Sequence, residues 1–322
     1  MVYAQAKYIG ANQIPVIDIT PLRDGRDPKS VAKALHAAST GLGFIYIHGH
    51  GIPDEVIANA RQSAYEFFRG PESEKNAVCV SAGHRGWLAS GGAKMDDDAK
   101  ADLKESYIWG LQCGDGVVLD DHSLRGENLW PGHVPDFEEH ATTYFRHAHQ
   151  VAHHLMRGFA LGLDLPKEFF LRTSDKPLSR ASYVYYPPQP EELGEDQFGV
   201  GPHTDFGVLT VLCQDAVGGL QVQDMDGTWL TAPPIEGTLV VNVADLLARW
   251  TDDAYKSTPH RVVNSSGRER LSLVLAFDPN PETMIDAREV FGPDYEPKEA
   301  PITCGDYLTW RFNKAFSYRD AG

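Results

Sequence analysis

The sequence predicts an α+β fold in which a β core carries supporting helices on its outside. Three observations lead to this class. Apolar residues recur at helical spacing in the first half of the chain, short strand-like runs separated by turn signals follow Ser182, and no clear linker divides the two parts. Many short strands at such spacing are typical of a barrel or jelly roll, against which helices bury one face. We therefore expect one compact unit over residues 1–322.

The N-terminal part alternates strands and helices. "IPVIDI" (14–19) and "FIYIHGHG" (44–51) are short apolar runs that predict strands. Between them, residues 27–43 have a proline near the first turn and a glycine at the end, which predicts a helix with recognisable limits. Further helices are predicted over 53–70 and from Pro135 to about Leu163. A mobile loop is expected near "SGGAKMDDDAK" (90–100).

The second half of the chain predicts a series of short strands. The dipeptide Asp226–Gly227 lies between two of them and indicates a hairpin turn. The predicted strands are "ASYVYY" (181–186), "VLTVLC" (208–213), "GLQVQD" (219–224), "TWLTA" (228–232), "GTLVVNV" (237–243), "HRVVN" (260–264) and "RLSLVLAF" (270–277).

Composition excludes several classes of protein. The formal net charge is −16, with 29 Lys and Arg against 45 Asp and Glu and no basic run, so we expect neither a nucleic-acid partner nor an anionic membrane partner. No apolar run reaches the roughly 20 residues that a membrane span needs. The four cysteines are scattered without a C-x-x-C pair, at Cys79, Cys113, Cys213 and Cys304. This usage favours a reducing compartment, and we expect a cytoplasmic monomer that binds a small-molecule substrate.

The stretch "GPHTDFGVLTVL" (201–212) carries the first chemical signal. It reads as a strand, yet it begins with His203 and Asp205, which share one face of a strand because they are two residues apart. Thr204 between them should point the other way. A solvated strand end is the commoner interpretation of an isolated His-x-Asp; a bound metal ion is the alternative, since a buried imidazole and carboxylate require a partner.

Two later segments favour the metal. His260 opens an apolar strand 55 residues after Asp205, so it can arrive from a different strand. Two histidines and one carboxylate with open positions form the facial triad of non-haem Fe(II) oxygenases. Arg270 and Ser272 follow at i and i+2, and arginine is the natural bidentate partner of a carboxylate ligand. Taken alone, Arg270 would more often form a salt bridge within the protein.

Over nearly its whole length the chain resembles the isopenicillin N synthase-like branch of the 2-oxoglutarate/Fe(II)-dependent oxygenases. The ordered combination of motifs is specific, although Gly49 and Ala244 depart from the usual Asn and Gly of the family. The motifs are "IPVIDI" (14–19), "GFIYIHGHGIP" (43–53), "NLWP" (128–131), "YYPP" (185–188), "HTD" (203–205), "GGLQV" (218–222), "LVVNVAD" (239–245), "STPHRVVN" (257–264), "RLS" (270–272) and "FDPNPE" (277–282).

The resemblance implies a distorted double-stranded β-helix, or jelly roll, with supporting helices. It implies an N-terminal non-haem dioxygenase region over 10–125 and a core that binds Fe(II) and 2-oxoglutarate over 178–282. It also implies the use of O2 and the release of succinate and CO2, with oxidation, most commonly hydroxylation, of a small molecule.

Residue by residue, the resemblance assigns a site. The iron ligands match His203, Asp205 and His260, and the residues that grip the distal carboxylate of 2-oxoglutarate match Arg270 and Ser272. Tyr186 matches a residue that lines the cosubstrate or substrate in relatives. Arg85, Trp87 and Tyr107 fall in stretches that approach the substrate in relatives.

Other features leave alternatives open. His149 and His153 are four residues apart on the predicted long helix, but without a third ligand they read as packing or surface residues. The C-terminal "RFNKAFSYRD" (311–320) is either a lid or a packed end. An oxidase of the isopenicillin N synthase kind, acting without 2-oxoglutarate, and a non-enzymatic jelly-roll binding protein are the competing functions. The substrate is chosen by loops, so the sequence does not identify it.

Overall fold

The chain is built on 14 strands in the residues that the computed structural model describes, which are 14–92, 102–112, 121–189 and 197–319. The strands are β1 (Val16–Asp18), β2 (Phe44–His48), β3 (Gly86–Leu88), β4 (Glu105–Gly110), β5 (Arg180–Tyr186), β6 (Val200–His203), β7 (Leu209–Gln214), β8 (Leu220–Gln223), β9 (Trp229–Thr231), β10 (Leu239–Val243), β11 (His260–Val262), β12 (Arg270–Phe277), β13 (Met284–Ile285) and β14 (Ile302–Thr303).

Two sheets form the core. The larger has eight strands in the order β1-β2-β10-β7-β12-β5-β4-β3, and the smaller has four in the order β6-β11-β8-β9. Strands β13 and β14 form a separate antiparallel pair. Most neighbours pair antiparallel, β1 and β2 being parallel. Strands from the N-terminal part therefore extend the sheet that the C-terminal part builds.

Eight α-helices surround the sheets in the described part of the chain. They are α1 (Thr20–Arg23), α2 (Pro28–Thr40), α3 (Asp54–Phe68), α4 (Glu72–Asn76), α5 (Phe137–Gly162), α6 (Asp245–Trp250), α7 (Arg288–Phe291) and α8 (Cys304–Ala315). Two short 3-10 helices span Phe169–Leu171 and Ser317–Arg319.

The ends of these helices follow from local sequence. Asp27 caps α2, where its carboxylate accepts the backbone N–H of Ser30 at 3.1 Å, and Pro28 takes the first helical position. Thr303 caps α8 in the same way, accepting from the N–H of Asp306 at 3.1 Å. Such caps satisfy backbone donors that a helix start otherwise leaves unpaired.

Strand β12 shows how the larger sheet separates a packed face from a cavity face. Leu271, Leu273, Leu275 and Phe277 are fully buried in the main hydrophobic core, where the Tyr144 hydroxyl of α5 donates to the Leu273 carbonyl at 3.2 Å. The residues that alternate with them, Arg270, Ser272, Val274 and Ala276, face a cavity between the two sheets. The helices thus cover one side of the sheet and leave the other for ligands.

The predicted α+β arrangement of a β core with outer helices is confirmed. The loop expected near residues 90–100 lies mostly outside the described residues. No helix in the described part of the chain is long and apolar enough to cross a membrane.

Candidate active site

His203, Asp205 and His260 meet at one side of the cavity. One ligand atom from each lies within 4.8 Å of the others. The Nε2 atoms of both histidines are 3.8 Å from Asp205 Oδ1, and the two imidazole centroids are 4.3 Å apart. Among the described residues this is the one cluster of three or more potential metal ligands.

Antiparallel pairing of β6 with β11 brings the two histidines together, because His203 and His260 are direct partners in the register. The strand β6 ends at His203, so Asp205 lies in the turn beyond it and not on the strand as the His-x-Asp spacing predicted. Thr204 does direct its hydroxyl elsewhere: it donates to Asp245 Oδ2 at 3.2 Å.

Hydrogen bonds to backbone and side-chain groups orient the side chains of His203, Asp205 and His260. Nδ1 of His203 lies 2.8 Å from the Gly201 carbonyl and Nδ1 of His260 lies 3.2 Å from the Thr258 carbonyl. A carbonyl at Nδ1 fixes the proton there and leaves Nε2 free as a metal ligand. Asn242 Nδ2 donates to Asp205 Oδ2 at 2.8 Å, which holds the carboxylate with Oδ1 toward the histidines.

The protonation states suit metal binding. Burial and the neighbouring His260 lower the pKa of His203 to about 3. Burial alone would raise the pKa of Asp205, but His260 and His203 outweigh it and lower that pKa to about 2. At neutral pH the imidazole of His203 is therefore uncharged and the carboxylate ionised, the forms that coordinate a cation.

Asp245, the first residue of α6, connects the segment that carries Asp205 with the C-terminal helix. Its backbone N–H donates to the Asp205 carbonyl at 2.9 Å, and its carboxylate accepts from Ser257 at 2.7 Å. From α8, the Tyr307 hydroxyl donates to Asp245 Oδ2 at 3.1 Å and Arg311 lies 3.1 Å from the same oxygen. One carboxylate thus ties the segments that carry Asp205 and His260 to the helix that covers the cavity.

Arg270 and Ser272 lie on the cavity face of β12. Arg270 is fully buried and Ser272 is 1% exposed. Arg270 Nε donates to the Gly218 carbonyl at 2.6 Å, whereas both Nη atoms and the Ser272 hydroxyl have no hydrogen-bond partner among the described residues. The Tyr186 ring lies 4.5 Å from the guanidinium carbon. A buried, unpaired cation is costly, so this cluster is built for an anionic ligand.

The three residues expected at the substrate mouth are placed differently. Trp87 and Tyr107 belong to the main hydrophobic core, and Trp87 Nε1 donates to Glu105 at 2.8 Å. Arg85 is 2% exposed and donates to the His84 carbonyl at 2.9 Å. None of the three is among the residues that line the cavity in the described part of the chain. Their contact with substrate stays a prediction.

The strand positions next to them do line the cavity. Leu88 neighbours Trp87, and Ser106 and Ile108 flank Tyr107, so the cavity receives the alternate face of β3 and β4. The sequence motifs singled out Trp87 and Tyr107 without predicting a strand here, whereas the two-residue period of β4 could have separated the two faces.

Further cavity residues were not predicted. Lys104 precedes β4, Arg180 begins β5, and Phe312 and Phe316 come from the C-terminal segment. The last two belong to the segment that the sequence presents as either a lid or a packed end, and they place it in the wall of the cavity. By contrast, His149 and His153 pack against each other and Phe277, with His149 Nε2 3.2 Å from the Ser179 hydroxyl.

Comparison with known proteins adds two family matches. Residues 177–279 match the 2OG-Fe(II) oxygenase superfamily, and residues 14–133 match the family described as non-haem dioxygenase in morphine synthesis N-terminal.

Individual relatives agree over most of the chain. The 2-oxoglutarate-Fe(II) type oxidoreductase hxnY of Emericella nidulans is 32% identical over 95% of this chain and 91% of its own length. A homoarginine-6-hydroxylase of Glycine max is 33% identical over 85% of this chain and 88% of its own length. The crystal structure of a full-length Neurospora crassa protein in complex with alpha-KG and thymine matches with a TM-score of 0.84 and 28% sequence identity. The match covers 96% of this chain and 99% of the Neurospora chain.

The jelly-roll fold and the His–Asp–His cluster define a non-haem iron oxygenase. The chain belongs to the 2OG-Fe(II) oxygenase superfamily. It is accordingly an oxidoreductase that uses Fe(II), 2-oxoglutarate and O2. The oxidase that acts without 2-oxoglutarate is not favoured, since the relatives are named for 2-oxoglutarate and neighbouring structures contain it.

Proposed function

We propose that His203, Asp205 and His260 hold Fe(II), and that Arg270 and Ser272 bind the distal carboxylate of 2-oxoglutarate. The observation that carries the proposal is the fully buried Arg270, whose two Nη atoms have no partner among the described residues and face the same cavity as the three candidate ligands. The reaction is hydroxylation of a small molecule.

The donor set fits the metal. Two imidazoles and one carboxylate from two short segments leave further coordination positions open, as the facial arrangement of Fe(II) oxygenases requires. When bound, Fe(II) and 2-oxoglutarate supply the oxidation itself: O2 and 2-oxoglutarate give succinate and CO2, and one oxygen atom enters a C–H bond of the substrate. The protein supplies orientation and exclusion of water.

The cosubstrate residues fit an anion with a flat carboxylate. The two free Nη atoms of Arg270 offer a bidentate contact, and the Ser272 hydroxyl adds a third donor. Tyr186 packs its ring on the guanidinium at 4.5 Å and pairs with Arg270 across the β5–β12 ladder, so it restricts the orientation of the fork. We assign Tyr186 this positioning role.

The chain organisation belongs to the same proposal. Residues 10–125 form the N-terminal dioxygenase region and residues 178–282 the core that binds Fe(II) and 2-oxoglutarate, within one unit of 322 residues. The enzyme acts as a cytoplasmic monomer, in keeping with the free thiols of Cys79, Cys213 and Cys304. Light scattering of the purified protein measures the oligomeric state.

The ligand assignment is tested with one variant and a matched control. Asp205→Ala leaves two ligands, which do not hold Fe(II) firmly, so metal binding and succinate formation are both expected to be lost. Thr204→Val changes the adjacent residue but removes only a bond to Asp245, so iron occupancy should remain. Iron content after anaerobic loading and succinate formation are the measurements; full occupancy in Asp205→Ala contradicts the assignment.

A further inference from the structure

The cavity has a second arginine at the end opposite to Arg270. Arg180 and Tyr186 are the two ends of β5, and Tyr186 pairs with Arg270 while Arg180 pairs with Ala276. Six residues of strand separate these positions by roughly 20 Å along the sheet. Because Arg270 marks the proposed cosubstrate end, the Arg180 end is available to the primary substrate.

Arg180 lies in the same cross-strand row as the support of the proposed metal site. Asn242 pairs with Thr210, Thr210 with Ala276, and Ala276 with Arg180. Asn242 in turn holds the Asp205 carboxylate. Arg180 and the residue that supports the proposed metal ligands therefore lie at the same level of the sheet and line the same cavity.

The charge of Arg180 is already balanced by the protein. Its Nη1 donates to Asp278 Oδ2 at 2.6 Å, and Asp278 is fully buried. The other oxygen, Oδ1, accepts from the Val208 N–H at 3.1 Å, and a Cβ on Gly207 would collide with it, so the acid is held tightly behind the arginine. The pair presents hydrogen-bond donors to the cavity with little net charge.

Lys104, the third cation that lines the cavity, also lies beside a buried acid. Lys104 Nζ lies 3.4 Å from Asp102 Oδ2, and Asp102 Oδ1 accepts from the Gly201 N–H at 3.0 Å. Asp102 is 2% exposed and lies behind the lysine. Among the described residues that line the cavity, Asp205 is the one acid, and the proposed metal uses it.

The remaining wall near Arg180 is aromatic. The guanidinium carbon lies 4.5 Å from the centre of the Phe312 ring, Phe206 lies 5.8 Å from that ring between centroids, and Phe316 lines the same space. The contacts of Tyr307 and Arg311 with Asp245 hold α8, which carries Phe312, against this part of the site. This wall suits a flat or apolar body.

We propose that the primary substrate is a small molecule with an aromatic or similarly flat body that presents a carbonyl or carboxylate oxygen to Arg180 and carries no cationic group. The inference rests on the proposed function of the same cavity. A cationic group would lie beside Arg180 and Lys104 without a free acid among the described residues to compensate it. A substrate oxygen accepts a charge-assisted bond from the guanidinium, while the body packs against the wall that Phe206 and Phe312 form together.

This chemistry distinguishes between the substrates named for relatives. The homoarginine-6-hydroxylase relative is named for a molecule with a cationic guanidinium, whereas the Neurospora crassa protein was crystallised with thymine, a neutral ring with carbonyl oxygens. The charge balance of the present cavity favours the second kind of molecule.

Three isosteric probes test the inference: benzamide, benzoate and benzamidine share one shape and are neutral, anionic and cationic. Their dissociation constants are measured by calorimetry on anaerobic protein loaded with Fe(II) and 2-oxoglutarate. Benzamide and benzoate are expected to bind, and benzamidine at least roughly tenfold more weakly. Arg180→Met should weaken benzamide and benzoate by roughly ten- to hundredfold, the loss of one bond to a charged group, with Arg180→Lys between it and the wild type.

Asp278→Asn keeps Arg180 but removes the carboxylate that balances its charge. This variant should therefore shift the binding preference from benzamide toward benzoate. The inference is overturned if benzamidine binds as tightly as benzamide, if none of the three binds, or if Arg180→Met leaves all three unchanged. The affinity for 2-oxoglutarate is measured in the same samples. Normal 2-oxoglutarate binding with any of those results overturns this inference alone, whereas absent 2-oxoglutarate binding overturns the proposed function.

Discussion

The two ends of the cavity each present an arginine, but within the described part of the chain only Arg180 forms an ion pair with a carboxylate. Arg180 is paired with the buried Asp278 at 2.6 Å, whereas Arg270 has two Nη atoms without a partner among the described residues. Both lie on the same face of adjacent strands. The difference shows how one wall can hold two kinds of polar ligand: an uncompensated arginine requires an anion, and a compensated one offers hydrogen bonds without requiring charge.

The largest effect is expected at the uncompensated end. Arg270→Ala removes the proposed buried charge partner of the 2-oxoglutarate carboxylate, a loss of about 2–5 kcal/mol, or roughly thirtyfold to several thousandfold in affinity. Arg270→Lys keeps the charge without the bidentate fork and should lie between the two. The apparent KM for 2-oxoglutarate measures both. Equal KM values in Arg270→Ala and the wild type would place the cosubstrate elsewhere.

A smaller effect is expected for Asn242, which supports the proposed metal site. Asn242→Ala removes the 2.8 Å hydrogen bond that orients the Asp205 carboxylate, without removing a ligand. Loss of such a supporting contact weakens metal binding by roughly ten- to hundredfold. Anaerobic Fe(II) titration gives the value, and Arg270→Ala serves as the control that should bind iron normally. If Asn242→Ala binds iron like the wild type, the orienting role fails.

The smallest effect is expected at His149, which does not line the cavity. Burial, with His153 nearby, lowers the pKa of His149 to about 3. Below about pH 6.5 the unfolded chain binds a proton at this residue and the folded chain does not, so stability falls as the pH drops from 6.5 toward 3 and is unaffected above that window. His149→Gln should reduce this loss by up to about 1.4 kcal/mol per pH unit.

Urea denaturation of the metal-free protein at pH 7 and pH 5.5 measures the effect of His149. The difference between variant and wild type should be independent of Fe(II) and 2-oxoglutarate, because His149 contacts Ser179 and Phe277 and does not line the cavity. A variant as acid-sensitive as the wild type would show that His149 does not carry the effect.

Much of the fold was predictable from local pattern. The start of α2 follows from its Asp27 cap and Pro28, the start of α3 from the acidic residues in its first turn, and the strand Arg270–Phe277 from alternation. These signals act over a few residues. The meeting of His203 with His260 was inferred from motif order, but their contact depends on the β6–β11 register, which is a property of distant strands.

The substrate side was predicted less completely for a physical reason. Tyr107 and Ser106 are adjacent in sequence, yet one is buried in the core and the other lines the cavity, so an uncertainty of one residue reverses the assignment. The pairing of Arg180 with Asp278 joins positions 98 residues apart and has no local signal. The aromatic wall from α8 likewise depends on how the C-terminal helix docks.

The most direct test of the division between the two arginines is a titration of anaerobic Fe(II) protein with 2-oxoglutarate, followed through the visible band of an iron-chelated 2-oxo acid. The wild type and Arg180→Met should titrate alike, and Arg270→Met should need at least roughly thirtyfold more 2-oxoglutarate. A normal titration of Arg270→Met, with the loss appearing in Arg180→Met, would contradict the account and place the cosubstrate at the opposite end of the cavity.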